Sequence, residues 1–363
     1  MNFIPDYHHF VDAVQNRKPS RLPMYEHFVD HHIIEIILGV PMHYPDNNAS
    51  PEQIDTFYKN FCNFHREMTY DTIFFEASQS RGIPEHGAIY GGKPGPIQNR
   101  MDFDNYNWEQ IPSLFWKFWE PRLDALCRHV PEGMKLVGGI GMGVFELSED
   151  FVGYEYLCMM QFDDPELFAK LYVKIGDTMH AIWSRLLERY GDHFCVCRFG
   201  DDLGFKNSTL LSPDTIKEHI LPQHRRLISL IKSKGKPFIF HSCGCIFDVM
   251  EEIIANGIDA KHSNEDQIAP FDEWISRYGD RIGLLGGIDL NILCLDSPEK
   301  VKEKVIEMGT RFRKNAKGFA LGSGNSIPDY IPAEGYLAMV EAVKEIRRRE
   351  MAWSLAPSSC APA

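Results

Sequence analysis

A single (β/α)8 barrel is the architecture that this sequence predicts, on three observations. Eight short apolar or β-rich runs recur along the chain, each followed by a longer segment whose apolar residues have helical spacing. Strands that alternate with helices pair in parallel, and eight such units close a barrel. No internal repeat or low-complexity linker divides the middle of the 363 residues, so 1–352 reads as one domain. A doubly wound open sheet is the structural competitor.

The eight runs are 22–26, 71–76, 135–140, 194–200, 237–241, 258–262, 282–286 and 318–322. Helix openings are clearest late in the chain. Ser212-Pro213 and Ser297-Pro298 each place an N-cap serine before a proline at the first helical position. Pro332 opens a final helix that is expected to end in Arg347-Arg348-Arg349, basic residues suited to a helix C-terminus. Residues 80–106, rich in Gly, Pro and Asn, form an insert after the second run, and a loop of that length reads as a lid or binding loop, with a plain surface excursion as the alternative. Residues 353–363 are small and proline-rich and predict a flexible tail.

Hydrophobic residues at 44% and charged residues at 25% are those of a soluble globular protein. The formal charge of -13 argues against nucleic acid or an anionic membrane as main partner. No apolar run reaches the roughly 18 residues of a membrane span. Nine irregularly spaced cysteines, behind an N-terminus with neither a basic region nor an apolar signal core, predict a reduced, cytoplasmic protein.

A parallel barrel carries its active site at the C-terminal ends of the strands. Titratable or polar residues close most of the runs: Glu26 with His27 beside it, Glu76, Glu146, Asp201-Asp202, His241 and Cys243, His262 with Glu265 and Asp266 beyond it, Asp289, and Asn325. Any one of them reads as a helix cap; the set reads as a site. Glu26, Glu76, Glu146, Asp201 and His262 are the catalytic candidates, and Asp202, Asp289 and Asn325 the substrate-binding ones. Strand alternation puts His241 and Cys243 on one face, where an imidazole and a thiolate suit zinc. The plain alternative is a hydrogen-bonded histidine beside a small thiol. The glycines of 138–143 lack a nucleotide-binding spacing and are expected to let backbone approach a ligand.

His241-Ser242-Cys243-Gly244, taken with Gly200-Asp201-Asp202-Leu203-Gly204 and Gly322-Ser323-Gly324-Asn325-Ser326-Ile327-Pro328, resembles the uroporphyrinogen decarboxylase superfamily. The likeness runs from residues 17–23 to the last helix and implies a (β/α)8 barrel. The decarboxylases of that superfamily carry an N-terminal Arg-Gln-Ala-Gly-Arg pattern that holds substrate carboxylates; here no arginine follows Arg21 in the first run. The corrinoid-linked methyltransferases carry His-x-Cys after the fifth strand and a third zinc-binding cysteine in a Gly-x-Gly-Cys segment. His241 and Cys243 match, and Asn325 stands in the third position. This branch implies transfer of a methyl group between a small molecule and a corrinoid held by a partner protein. A zinc ion on His241, Cys243 and a carboxylate such as Glu146 or Asp201 would activate the donor. Loss of the third thiolate hardens such a site, which favours an ether oxygen, such as that of a methoxylated aromatic, over a thiol. A decarboxylase or lyase, and a corrinoid-binding barrel without chemistry, are the alternatives.

Overall fold

Residues 3–355 are described by the computed structural model of the chain. Seven strands form one parallel sheet in sequential order: β1 (Thr72–Ser78), β2 (Lys135–Gly141), β3 (Phe194–Gly200), β4 (Phe238–His241), β5 (Ala260–His262), β6 (Gly283–Ile288) and β7 (Phe319–Ser323). Each lies within a few residues of one of the expected runs. The exception is the first run, 22–26, which joins β7 only through a parallel bridge between Met24 and Leu321, with Tyr25 N–H donating to Leu321 at 2.9 Å and Leu321 N–H to Pro23 at 3.0 Å. No ladder connects it to β1 among the described residues. The observed sheet is therefore a curled seven-stranded one where eight strands were expected. Pro23 has no N–H to give to a ladder, which shortens what this run can pair.

Alternation along the strands sorts side chains into two layers. Tyr25, Ile239, Ala260, Leu285 and Ala320 face the inside of the curl, closed below by Phe10, Ala13 and Val14 from the helix His8–Val14. The opposite faces pack under the surrounding helices. One inward residue is a cation. Arg198, fully buried on β3, donates to the Tyr25 hydroxyl at 2.8 Å, the His27 carbonyl at 3.2 Å and the Glu76 carboxylate at 3.0 Å. These bonds tie the first run to β1 and β3 where the backbone ladder does not.

The predicted serine caps form, Ser212 accepting from Thr215 N–H and Ser297 heading the helix Pro298–Asn315. The last helix, Ala333–Leu355, continues past the three arginines and into the start of the predicted tail; residues 356–363 of that tail lie outside the described residues. Arg347 is not a solvated dipole partner. It is buried, donating to the carbonyls of Leu22 at 2.7 Å and Thr69 at 2.9 Å, and so clamps the first run against the entry to β1.

Two expectations about loops change. The insert 80–106 lies along the helix Val144–Val152, with Ile97 N–H on Phe151 and the Gln98 amide on Val152. The glycines of 138–143 give room to the protein's own groups. A Cβ on Gly141 would sit 2.2 Å from Glu76 Oε1, and one on Gly143 would sit 2.1 Å from the Asp201 carboxyl carbon. Both glycines are needed so that two strand-end carboxylates can lie against the β2–helix turn.

Glu26 lies between inward-facing Tyr25 and His27 and so points outward. It receives the Ser323 N–H at 2.8 Å and shares a shorter hydrogen bond with the Ser323 hydroxyl. Burial outweighs those bonds and pushes its carboxyl up to about 8 from an ordinary 4.5. A folded-state value above the unfolded one means that native protein binds the extra proton, so stability falls as pH rises from 4.5 to 8. Glu26→Gln keeps the hydrogen bonds of the protonated acid and removes that slope. We expect it to be more stable than the parent by roughly 3–5 kcal/mol at pH 8 and no more stable at pH 4, measured by urea unfolding across that range.

Candidate metal and substrate site

Three imidazoles meet at the C-terminal mouth of the sheet. The His27 and His241 rings stack with centroids 3.8 Å apart, and His241 Nδ1 lies 2.9 Å from His262 Nδ1. His262 Nε2 faces the Ser323 carbonyl at 3.2 Å. A carbonyl only accepts, so His262 Nε2 carries a proton. Burial lowers His262 to about 3 and also holds His241 well below its usual range, so both rings are neutral near pH 7. His262 Nδ1 is then an acceptor, and His241 Nδ1–H donates to it. The lone pair of His241 Nε2 is left pointing at Cys243 Sγ, 3.5 Å away, and at Asp202 Oδ1, 3.9 Å away.

Two groups of three have the spacing to hold a metal ion, with ligand atoms within 4.8 Å of one another: His27, His241 and His262, or Asp202, His241 and Cys243. The proton chain separates them. His262 spends its lone pair on His241, so the three-histidine group is one donor short. Asp202, His241 and Cys243 offer oxygen, nitrogen and sulfur, the three-ligand pattern of a catalytic zinc with a position left open. Burial, then the Asp202 and Glu265 carboxylates, raise the Cys243 thiol well above its usual range, so it holds its proton until a cation reverses the local balance. Cys243 N–H donates to Asp202 Oδ1 at 2.8 Å, which sets the carboxylate beside the thiol.

The other candidates are divided among separate tasks. Asn325 turns its NH2 toward Cys243 Sγ at 3.4 Å and Glu265 at 2.5 Å, as a hydrogen-bond donor to both. Asp201 is fully buried behind the site, receiving the Phe145 and Glu146 N–H groups at the start of a helix and contacting His224 Nε2 at 2.7 Å. Glu146 caps that helix through Gly143 N–H; burial first, then the Asp202 and Asp201 charges, raise its carboxyl well above the usual range. The carboxylate beside His241 and Cys243 is thus Asp202, where Glu146 or Asp201 was expected. Glu76 stands beside His27, 3.9 Å from its Nε2. Glu26 faces the outer layer, away from the imidazoles. Asp289 caps the helix Leu290–Leu295 through Asn291 N–H and, with Asn325 and Tyr330, lines a separate cavity of 190 Å³.

Two cations within the runs, Arg198 and Lys261, and His27 just after the first run also take part. Arg198 holds His27 and Glu76 in place from below. Lys261, buried on the outward face of β5, reaches Asn264 Oδ1 at 3.3 Å and lies over the Trp274 ring, and burial lowers its ammonium to about 7. The signal for both was available: a cation in the middle of an apolar run. His27, noted only as a neighbour of Glu26, is the member of that pair that enters the site.

A cavity of 370 Å³ adjoins the imidazoles. His27, Glu76 and Ser326 are among its polar lining residues, and its walls are largely aromatic, among them Tyr44, Phe57 and Trp119. None of its lining residues comes from the insert 80–106.

A family model described as uroporphyrinogen decarboxylase (URO-D) matches residues 121–346, a span that holds β2 to β7 and the Asp202, His241 and Cys243 set. The chain belongs to the uroporphyrinogen decarboxylase family. Among curated relatives, the methylated-thiol--coenzyme M methyltransferase of Methanosarcina mazei is 27% identical over 207 residues, which are 55% of this chain and 51% of that protein. The match therefore spans about half the relative's length. A solved methyltransferase from Methanosarcina mazei superposes with a TM-score of 0.67 over 93% of this chain and 97% of its own, at 15% identity, a likeness of fold.

The proton chain makes a prediction of its own. His262→Phe removes no ligand but frees the His241 tautomer, and zinc affinity should fall about 10–100-fold, the usual effect of losing an outer partner of a ligating histidine. Asp201→Asn should lower the unfolding midpoint while leaving zinc affinity within about 3-fold. Competition titration against a chromogenic chelator, with urea melts of the same proteins, measures both.

Proposed function

We propose that this protein is a methyltransferase that takes the methyl group of a small methyl ether, best a methoxylated aromatic, and passes it to the cobalt of a corrinoid carried by a partner protein. The observation that carries the reading is an aromatic-walled cavity whose lining residue His27 stacks on His241, a member of an oxygen, nitrogen and sulfur donor set. The names of the related methyltransferases support the same class. In this reading the first run completes a barrel between β7 and β1, and the protein works in the cytoplasm.

An aryl methyl ether yields its methyl group reluctantly, because the phenoxide is a poor leaving group unless protonated or bound to a Lewis acid. The reduced corrinoid supplies the electron pair for the new carbon–cobalt bond, and the old carbon–oxygen pair stays on the leaving oxygen. A zinc ion held by Asp202, His241 and Cys243 would supply the Lewis acidity at that oxygen. The chain's own residues do the rest. The aromatic walls stack the ring and exclude water, His262 keeps the His241 lone pair in place, and Asn325 steadies Cys243. A carboxylate among the ligands makes the set harder than a two-thiolate one, which favours oxygen over sulfur.

A decarboxylase acting on a polycarboxylate needs cations to hold its substrate, and no lysine or arginine lines the cavity. A binding barrel without chemistry has no use for a buried neutral histidine whose lone pair is aimed at a thiol. The test is incubation with a cob(I)alamin-loaded carrier protein and a panel of methoxyarenes, following methylated corrinoid by its visible spectrum and the phenol by chromatography. Transfer is expected with the parent, and a loss of at least about 100-fold in Cys243→Ala and His241→Ala. No methylated corrinoid with any donor would leave a binding role instead.

A further inference from the structure

We infer that the aromatic cavity selects an uncharged phenolic methyl ether and rejects aromatic carboxylates, with Glu76 as the residue that makes the choice. The inference rests on the aryl-ether reading above and narrows it to one class of substrate.

Among the cavity's lining residues Glu76 is the one acid, and none is a lysine or arginine. Two imidazoles line it as well: His27 is stacked on the His241 ring, and burial lowers His31. The guanidiniums packed behind the wall are committed elsewhere. Arg198 is spent on Tyr25, the His27 carbonyl and Glu76. Arg122 donates to the carbonyls of Phe118 and Pro45, with a further short bond to that of Asp46. A carboxylate entering this cavity would leave water, meet apolar rings, and find a carboxylate rather than a counter-ion.

Glu76 is itself half used. Its Oε2 receives Arg198 at 3.0 Å, while Oε1 lies against Gly141 in a side chain that is 28% exposed, open to a further donor. Glu76 lines the cavity together with His27 and Ser326, and its Oε2 stands 3.9 Å from His27 Nε2. A phenolic hydroxyl next to the methoxy group is a donor of the right kind, and a hydrogen bond to a carboxylate is stronger than one between neutral groups. A ring so held would present its methoxy oxygen toward the His27 and Ser326 side, next to the ligand set.

Binding separates this inference from the transfer reading because it needs neither corrinoid nor turnover. Full-length protein is titrated calorimetrically with 2-methoxyphenol, 4-hydroxy-3-methoxybenzamide and 4-hydroxy-3-methoxybenzoate, the amide controlling for size. The expected result is binding of the phenol and the amide, with the benzoate at least about 30-fold weaker than the amide. In Glu76→Gln that gap should shrink below about 5-fold, and the phenol should also weaken. A benzoate within 3-fold of the amide in the parent overturns the selectivity, whatever becomes of the variant. A gap unchanged in folded Glu76→Gln overturns the assignment to Glu76. No binding by any of the three overturns the inference, and methyl transfer from a non-aromatic ether in the same preparation would show that the transfer reading survives it.

Discussion

The site depends on one hydrogen bond, from His241 Nδ1 to His262 Nδ1, and on the carbonyl that fixes its direction. Ser323 at the end of β7 accepts from His262, His262 therefore accepts from His241, and His241 is left with its lone pair on Nε2. Reversing the order would put a proton between His241 and Cys243 and close the position to a metal. The sheet provides the geometry. His241 and His262 are partners across the β4–β5 ladder, and Gly286 on β6 leaves the space into which the His262 ring fits, since a Cβ there would come within 3.2 Å of it. Burial supplies the neutrality that the chain of single protons requires.

Around that axis the acidic residues of the strand ends are kept apart by what each is bonded to. Asp202 is left beside His241 and Cys243, partly exposed and with one backbone N–H to orient it. Asp201, next in sequence, turns to the opposite side and is consumed by a helix start and His224. Glu76 is matched to a buried arginine, and Glu26 is kept neutral by burial. Four neighbouring carboxyls therefore have four settings: beside an imidazole and a thiol, at a helix start, on a buried guanidinium, and neutral in the outer layer. Crowding like charges at one mouth is costly, and this partition is how the fold bears it.

The strands and the His241-x-Cys243 pair were legible in the sequence because both are local. Apolar runs have a period, and alternation over two residues decides which side chains share a face. What lay beyond reach was everything set by a partner distant in sequence. Nothing in residues 200–204 says which of Asp201 and Asp202 turns inward, since that follows from the helix start at Phe145 and from His224. Arg198 stands in an apolar run as an anomaly, but its partners Tyr25 and Glu76 lie more than 100 positions away. The first run reads as a strand by composition, and only the edge it meets shows that its ladder is short. The glycines of 138–143 were misread for the same reason. Their spare volume is filled by Phe75, Trp183, Glu76 and Asp201, and not by a ligand.

X-ray absorption at the zinc edge of the metal-loaded protein tests the identity of the ligand set most directly. One sulfur at about 2.3 Å is expected, with the remaining ligand atoms nitrogen or oxygen at about 2.0–2.2 Å. The sulfur contribution should vanish in Cys243→Ala. A shell without sulfur in the parent protein, with imidazole scattering from two or three histidines, would place the metal on His27, His241 and His262 and contradict that ligand set.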